Sequence, residues 1–161
     1  MAKISFSIDS DLPAERVLAV AADFSDSRPR YWPTIDPAVY RVHSRTATAA
    51  DVTEGSAIMG GIWAREAYDT SQPGVVRARV QESNVFQPGG VWELRVEPRP
   101  DGGSHIEVVN HRQARGFKGH VLGAMMTLMG GKQLPASLKE TLDIVSREAG
   151  ANSAVQRRRL S

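Results

Sequence analysis

The sequence predicts a single α+β domain in which an antiparallel sheet is followed by a long carboxy-terminal helix. Most of residues 1–113 consists of short strand-like segments separated by turns such as Pro-Gly and Asp-Gly. Connectors this short join neighbouring strands as antiparallel hairpins. Apolar residues then recur at helical spacing over residues 115–149, with one interruption at Gly130-Gly131. The length of 161 residues fits one domain, which we place at residues 1–150.

The elements follow one another in a simple order. Residues 3–9 alternate apolar and polar side chains and form the first strand. A helix with Pro13 in its first turn comes next, and residues 27–33 form a second short helix or helical turn between two prolines. Six further strands complete a predicted seven-stranded meander, at residues 39–46, 56–60, 62–70, 75–85, 91–97 and 104–113.

Composition and charge narrow the functional class. The chain has no cysteine, which excludes disulfides and thiol chemistry. No apolar run approaches the roughly 20 residues of a bilayer-spanning helix, and residues 1–8 lack the apolar block of a secretory signal. We therefore expect a cytoplasmic protein without stable membrane insertion.

The basic residues are concentrated at the carboxy terminus. Three of the 20 basic residues are Arg157, Arg158 and Arg159, and the other 17 are balanced by 18 acidic residues. The folded body is therefore not basic, and we expect no nucleic-acid partner. Residues 151–161 have no periodic pattern and are predicted to be a disordered basic tail.

Strand and helix periodicity predicts which side chains face the interior. In the strand at 62–70 we favour Ile62, Ala64, Glu66 and Tyr68 over the alternate set that begins at Trp63. The other inward sets are Val76, Ala78 and Val80, then Trp92, Leu94 and Val96, then Ile106, Val108 and Asn110. Both halves of the long helix should face the sheet, through Phe117, Val121, Leu122, Met125, Leu128 and Met129 and then through Leu134, Leu138, Leu142 and Val145.

Four features taken in order carry a resemblance to a known superfamily. They are Pro-Ala-Glu-Arg-Val after the first strand, Tyr31-Trp32-Pro33, Glu54-Gly55-Ser56 and the long final helix. The arrangement resembles the helix-grip fold of the START-like or SRPBCC superfamily, which includes birch-pollen-allergen-like proteins and the bacterial polyketide cyclase/dehydrase and lipid-transport family. The resemblance covers residues 3–149. It implies a curved seven-stranded antiparallel sheet wrapped around a long C-terminal α-helix, with an apolar cavity between them.

This resemblance leaves three functions open, because one fold hosts many activities. The first is binding of a hydrophobic small molecule, such as a lipid, polyketide or isoprenoid. The second is a polyketide cyclase/dehydratase-type enzyme, and the third is a ligand-free, stress- or toxin-associated protein-interaction module. We expect a monomer or homodimer. Motifs for cofactors are absent from the sequence. Of its four histidines, only His105 and His111 share a strand face with a carboxylate, Glu107, and we expect that face to be exposed to solvent. We therefore expect no cofactor and no metal.

Polar residues on the predicted apolar face are the candidates for chemistry. Glu66, Asn110 and Arg112 fall on that face, where a buried unpaired polar group costs about 1–3 kcal/mol. Glu66 and Arg112 can form a mutual structural pair, or they can bind the polar end of a ligand. Alternatively, Glu66 acts as an acid or base toward an enolisable carbonyl while Asn110 donates to the oxyanion. Pairing of Glu66 with Arg112 would favour binding, whereas an unpaired Glu66 with a raised pKa would favour catalysis.

Aromatic residues and methionines are the candidates for the cavity wall. Thioethers adapt to irregular apolar ligands, although the same methionines can be ordinary core. The two aromatic residues at positions 31 and 32 can close the cavity mouth or fasten the short helix to the sheet, and the Gly130-Gly131 break marks a possible gate. The predicted ligand-binding set is Tyr31, Trp32, Tyr68, Trp92, Arg112, Leu122, Met125, Met126 and Met129.

Overall fold

A computed structural model describes residues 2–128 and 131–159. Of the predicted positions, Met129 and Gly130 lie outside these residues. The elements in chain order are β1 (Ala2–Ser10), α1 (Ala14–Ala21), α2 (Arg28–Tyr31), β2 (Arg41–Arg45), β3 (Ala49–Ser56), a 3-10 turn (Ile58–Gly60), β4 (Ile62–Asp69), β5 (Val75–Ser83), β6 (Val91–Pro98), β7 (Ser104–Arg112), α3 (Gly116–Leu128) and α4 (Gln133–Arg159).

The strands of the described residues form one seven-stranded sheet in the order β1-β7-β6-β5-β4-β3-β2. All pairs are antiparallel, and β2 to β7 form the predicted meander. The first strand closes the other edge by pairing with β7 along its whole length. Together with two short helices between β1 and β2 and a long helix at the end, this arrangement confirms the predicted fold class.

One predicted strand is wrong. We placed a strand at residues 56–60, but the strand is Ala49–Ser56, and Ile58–Gly60 form a 3-10 turn. Met59 and Gly61 have φ angles of 55° and 95°, which lie outside the extended region that a strand requires. The segment that we assigned to a connector, beginning at Thr48, instead pairs with both neighbouring strands.

The main core lies where α1 and α4 pack on one face of the sheet. The strand faces predicted to point inward do so, including Ala64, Glu66 and Tyr68 in β4. The second half of the long helix is also as predicted, because its apolar residues at spacings of four and three reach this core. The buried members of that stripe are Leu138, Leu142 and Val145.

The first half of the long helix follows the prediction only in part, because Val121 and Leu122 are half-buried while other residues of the predicted face are exposed. Phe117 and Leu128 are each 85% exposed, and Met125 is also exposed. The buried residue of α3 is Gly119, where a Cβ atom would lie 2.2 Å from the carbonyl oxygen of Val85. Only glycine permits that approach. Because α3 is apolar around most of its circumference, spacing does not select a face, and the small residues decide which side packs.

Residues 151–159, which we predicted to be part of a disordered tail, continue α4 in the structure. These residues are exposed, so packing does not hold them in place. Alanine, glutamine and arginine are strong helix formers and continue an existing helix at little cost. The final arginines also complement the negative end of the helix dipole. Among the described residues, no helix combines the length and the hydropathy needed to cross a membrane.

Candidate functional site

A cleft lies between the sheet and the two helices of the carboxy-terminal third. It consists of three spaces that share lining residues. The α4 compartment measures about 170 Å³ and lies against Leu134 and Leu138, and the central compartment measures about 290 Å³. The α3 compartment measures about 630 Å³ and lies against Leu122 and Met126. The α3 and α4 segments therefore wall one continuous cleft.

Two polar residues of β7 lie where the compartments meet. Asn110 and Arg112 line all three of them. The Oδ1 atom of Asn110 and the Nε atom of Arg112 are buried, and neither has a hydrogen-bond partner among the described residues. A buried polar atom without a partner is costly. These two atoms, together with Trp32 Nε1 in the wall of the α4 compartment, are therefore unsatisfied polar atoms of the site.

The predicted partnership of Glu66 and Arg112 is present. Glu66 is 2% exposed, and Arg112 Nη2 donates a hydrogen bond to Glu66 Oε1. A register shift between β4 and β5 occurs beside Glu66, and such bulges re-aim side chains near functional sites. The guanidinium carbon of Arg112 also lies 5.2 Å from the ring centroid of Phe86. Arg112 is thus held by a carboxylate and an aromatic ring, while its Nε atom stays free.

A second ion pair lies beside the first and is more fully satisfied. Arg28 Nε donates to Glu54 Oε1 at 2.5 Å, and Arg28 Nη1 donates to the carbonyl oxygens of Ala21 and Asp23. Arg28 Nη2 donates to the Tyr68 hydroxyl at 3.2 Å. The rings of Phe24, Trp32 and Tyr68 surround this guanidinium, with centroids 4.8 to 5.4 Å from its central carbon. Arg28 therefore acts as a structural anchor of the site.

Tyr68 connects the two ion pairs. Its hydroxyl lies 3.1 Å from Glu54 Oε2 and 3.5 Å from Glu66 Oε2. The hydroxyl has one proton, so it donates its hydrogen bond to the nearer carboxylate, that of Glu54. The contact with Glu66 Oε2 is therefore at most a weak hydrogen bond. We call Arg28, Glu54, Glu66, Tyr68 and Arg112 the charged cluster.

Burial perturbs the titration of this cluster. Burial raises the pKa of the Glu66 carboxyl, and nearby Glu54 raises it further, against the opposing effect of Arg112. Burial also raises the pKa of Tyr68 well above its usual value, with Glu54 contributing in the same direction. Burial alone would lower the pKa of Arg28, but the charges of Glu54 and Tyr68 raise it, so Arg28 stays a cation.

The sequence of this chain matches one family model over most of its length. The model describes polyketide cyclase / dehydrase and lipid transport proteins, and it matches residues 1–150. The chain belongs to this family. Among curated proteins, no significant match is found.

Solved structures show the same fold at low sequence identity. The Zhui aromatase/cyclase from Streptomyces sp. R1128 superposes with a TM-score of 0.76 at 14% identity, covering 92% of this chain and 95% of that chain. A START superfamily protein from Mycobacterium smegmatis gives 0.73 at 15% identity, covering 90% and 97%. Human STARD10 gives 0.70 at 11% identity, covering 97% and 68%. This member of the family thus has the same fold as a START superfamily protein and an aromatase/cyclase.

The structure brings most of the predicted site residues into the cleft of this family member. Five line the α4 compartment, namely Trp32, Tyr68, Trp92, Asn110 and Arg112. A further three, namely Glu66, Leu122 and Met126, line the central compartment together with Asn110 and Arg112.

The remaining predicted residues lie elsewhere. Tyr31 lies outside the compartments, where its hydroxyl interacts with Glu148 of α4 and its pKa is raised by that interaction. It therefore fastens α2 to α4, whereas the two predicted roles were closing the cavity mouth and fastening the short helix to the sheet. Met125 is on the exposed side of α3, and Met129 lies outside the described residues.

Sequence reasoning missed Arg28 and Glu54. Glu54 follows Ala50 and Val52 on one face of β3, so the correct strand boundary would have placed it inward. Our misplaced strand concealed that alternation. Arg28 gave no periodic signal, because it lies in a helix of four residues. In the described part of the chain, no group of three or more His, Asp or Glu side chains could hold a metal ion.

Proposed function

We propose that this protein binds a hydrophobic small molecule, such as a lipid, polyketide or isoprenoid, in the cleft between the sheet and helices α3 and α4. One observation carries the proposal. Asn110 Oδ1 and Arg112 Nε are buried and unpaired at the junction of all three compartments. They can hold the polar end of a ligand whose remainder is apolar.

The surroundings of these two atoms support an apolar guest. The surface of the central compartment is mostly apolar, and its wall includes Ile58, Ile62, Val85, Leu122 and Met126. Small-molecule sites of roughly 300–1,000 Å³ commonly have this character, an apolar lining with a few placed polar groups. The α4 compartment alone, at about 170 Å³, is too small for such a ligand. A ligand of that size would extend across at least two compartments.

A cavity-filling substitution tests this function. Met126→Trp fills space in the central and α3 compartments, whereas Leu128→Trp adds the same ring at an 85% exposed position of the same helix. We expect the fluorescent probe anilinonaphthalene sulfonate, and any apolar molecule found with the purified protein by native mass spectrometry, to bind wild type and Leu128→Trp. Binding to Met126→Trp should be lost. Equal binding by the two variants would contradict a ligand in this cleft.

A second candidate is a polyketide cyclase/dehydratase-type enzyme, favoured by the raised pKa of a carboxyl that lines the central compartment. As a base, Glu66 would remove a proton beside a substrate carbonyl, and Asn110 would donate to the resulting oxyanion. The same Glu66, once protonated, would return the proton to a leaving hydroxyl. Since Glu66 is paired with Arg112, we place this candidate after binding.

The two candidates differ in what Glu66 is needed for. If the protein is an enzyme, Glu66→Gln should abolish turnover of a poly-β-carbonyl substrate while retaining binding of the product. If it only binds, Glu66→Gln should change affinity modestly and no turnover should be seen in the wild type. Turnover that survives both Glu66→Gln and Asn110→Ala would refute the catalytic assignment.

We propose a cytoplasmic protein that is a monomer or homodimer. Cell fractionation and light scattering after size-exclusion chromatography measure the two properties. Recovery in a membrane fraction, or a larger assembly, would contradict them.

A further inference from the structure

Three residues that line one small space each carry a buried polar atom without a partner. Trp32 Nε1, Asn110 Oδ1 and Arg112 Nε have no hydrogen-bond partner among the described residues, and all three residues line the α4 compartment. Asn110 is 8% exposed. The indole and guanidinium nitrogens are donors and the amide oxygen is an acceptor. The residues of its wall therefore carry two unpaired donors and one unpaired acceptor.

The other charged residues around this compartment are already paired, and the remaining polar residues of its wall are Tyr68, Thr34 and Ser137. Arg28 and Glu54 bond to each other and to Tyr68. Glu66 lies behind this wall, where it accepts from Arg112 Nη2. Positive and negative charges from α2, β3, β4 and β7 are thus paired among themselves, so an added negative charge would find no cation of its own.

We propose that the α4 compartment receives a planar head group that offers a carbonyl oxygen and an adjacent N–H or O–H hydrogen. This inference rests on the proposed ligand-binding function and names the class of its ligand. A primary carboxamide or a protonated carboxylic acid has this chemistry. The carbonyl oxygen of the head group accepts hydrogen bonds from Trp32 Nε1 and Arg112 Nε. The adjacent N–H or O–H group donates a hydrogen bond to Asn110 Oδ1. An ester lacks the hydrogen, and an alcohol lacks the carbonyl.

Compartment size fixes the orientation of such a ligand. A volume of about 170 Å³ corresponds to roughly five or six water molecules at about 30 Å³ each. It therefore holds a head group with a few methylenes and not a longer chain. Thr34, Ile35 and Leu134 line both this space and the apolar central compartment. The tail consequently extends past these residues toward α3.

Four ligands of one chain length test the head-group chemistry, namely octanamide, octanoic acid, methyl octanoate and 1-octanol. Displacement of anilinonaphthalene sulfonate gives their affinities. We expect octanamide to bind about 10- to 100-fold more tightly than methyl octanoate, because the ester leaves the Asn110 oxygen buried and unpaired. The affinity of octanoic acid should fall from about pH 5 to about pH 8, because the acid loses its proton. Octanamide keeps one charge state over this range, so its affinity reports any change in the protein itself.

Matched variants assign the effect to named atoms. Asn110→Ala should bring the octanamide-to-ester ratio to about one while 1-octanol binding persists. Glu107→Ala, at an exposed position of the same strand, should keep the wild-type ratio. Trp32→Phe retains the ring and removes the N–H, so it should weaken both carbonyl ligands about fivefold relative to 1-octanol. This variant provides the test if Asn110→Ala does not fold.

The outcomes separate this inference from the function on which it rests. If all four ligands bind with equal affinity, the head-group inference is overturned and the proposed binding function stands. If none of them displaces the probe, or the probe does not bind, the binding function itself is contradicted. Tighter binding of octanoic acid at the higher pH would assign the compartment to a carboxylate and overturn the inference. A wild-type ratio in Asn110→Ala would overturn the role of that residue.

Discussion

Replacing Arg112 with methionine should destabilise the protein, and the loss should depend on pH. The substitution keeps much of the side-chain volume but leaves Glu66, which is 2% exposed, without its cation. Breaking a buried ion pair from one side costs about 3–5 kcal/mol. Because the Arg112 side chain is 18% exposed, water can partly replace it, and we expect about 3 kcal/mol at neutral pH. The melting temperature should then fall by roughly 6–12 °C.

The sign of the pH dependence follows from the raised pKa of Glu66. Its pKa in the folded protein lies above the ordinary value of 4.5, so the folded state binds the proton more readily than the unfolded state. The contribution of Glu66 to stability is therefore fully present below 4.5 and is lost as the pH rises through the folded-state pKa. Removing Arg112 raises that pKa further. The difference between variant and wild type should grow with pH by at most about 1.4 kcal/mol per pH unit and then level off.

Urea unfolding followed by circular dichroism from about pH 5 to about pH 8 measures this difference. The double variant Glu66→Gln/Arg112→Met removes both charges and should recover much of the lost stability. Arg65→Met is the matched control, because it breaks the Arg65–Asp51 pair on the other face of β4. Arg65 is much more exposed, so its loss should be far smaller and nearly independent of pH.

Two results would refute this reasoning about Glu66 and Arg112. The first is a loss for Arg112→Met that is the same at both ends of the pH range. The second is a double variant whose loss of stability equals the sum of the losses measured for Glu66→Gln alone and for Arg112→Met alone. Either result would mean that Glu66 and Arg112 do not interact in the folded protein.

Further predictions concern packing and titration elsewhere. Gly119→Ala should destabilise α3, because its Cβ atom would lie 2.2 Å from a backbone oxygen. Gly123→Ala on the same helix meets nothing within 4 Å and should be neutral or stabilising by up to about 1 kcal/mol. Hydrogen exchange of α3 and thermal melting distinguish the two, and equal behaviour would contradict the close packing. Leu142→Ala should lose about 2–5 kcal/mol in urea unfolding, whereas Val155→Ala, 53% exposed, should change stability by less than about 0.5 kcal/mol. Tyr68→Phe should leave the tyrosinate absorbance of the folded protein unchanged up to about pH 11, since the Tyr68 pKa is raised well above its ordinary value. A smaller absorbance step in the folded variant would refute that.

Strand alternation predicted the inward face of the sheet well. The period of two placed Glu66 and Asn110 among apolar residues, and the structure finds both buried in the cleft wall. The same rule failed for Glu54, because the assignment of inward residues by alternation depends on where the strand begins. A strand boundary in error by several residues hid the one carboxylate that pairs with Arg28.

Helix periodicity predicted α4 and failed for α3. Leu138 and Leu142 lie on an apolar stripe of α4, and the opposite face of the helix is charged. Only the apolar stripe can therefore be buried against the sheet. In α3, the glycines and the large apolar residues are alternative contact surfaces for the rest of the protein. The close approach of the Gly119 backbone to Val85 selects the side that carries this glycine. A pattern of hydrophobicity cannot rank these alternatives, because the contact that decides them is made with a loop distant in sequence.

The sequence by itself determined the fold class, the order of the elements, the buried faces of the strands and the presence of Glu66, Asn110 and Arg112 on one of them. These properties follow from local periodicity and turn chemistry, which are written in neighbouring residues. Tertiary structure decided that Arg28 and Glu54 join the charged cluster, that Phe117, Met125 and Leu128 of α3 are exposed, and that three residues with unpaired polar atoms line one compartment. Each of these depends on contacts between residues far apart in the chain, whose distances and hydrogen-bond partners exist only after the sheet and helices have packed.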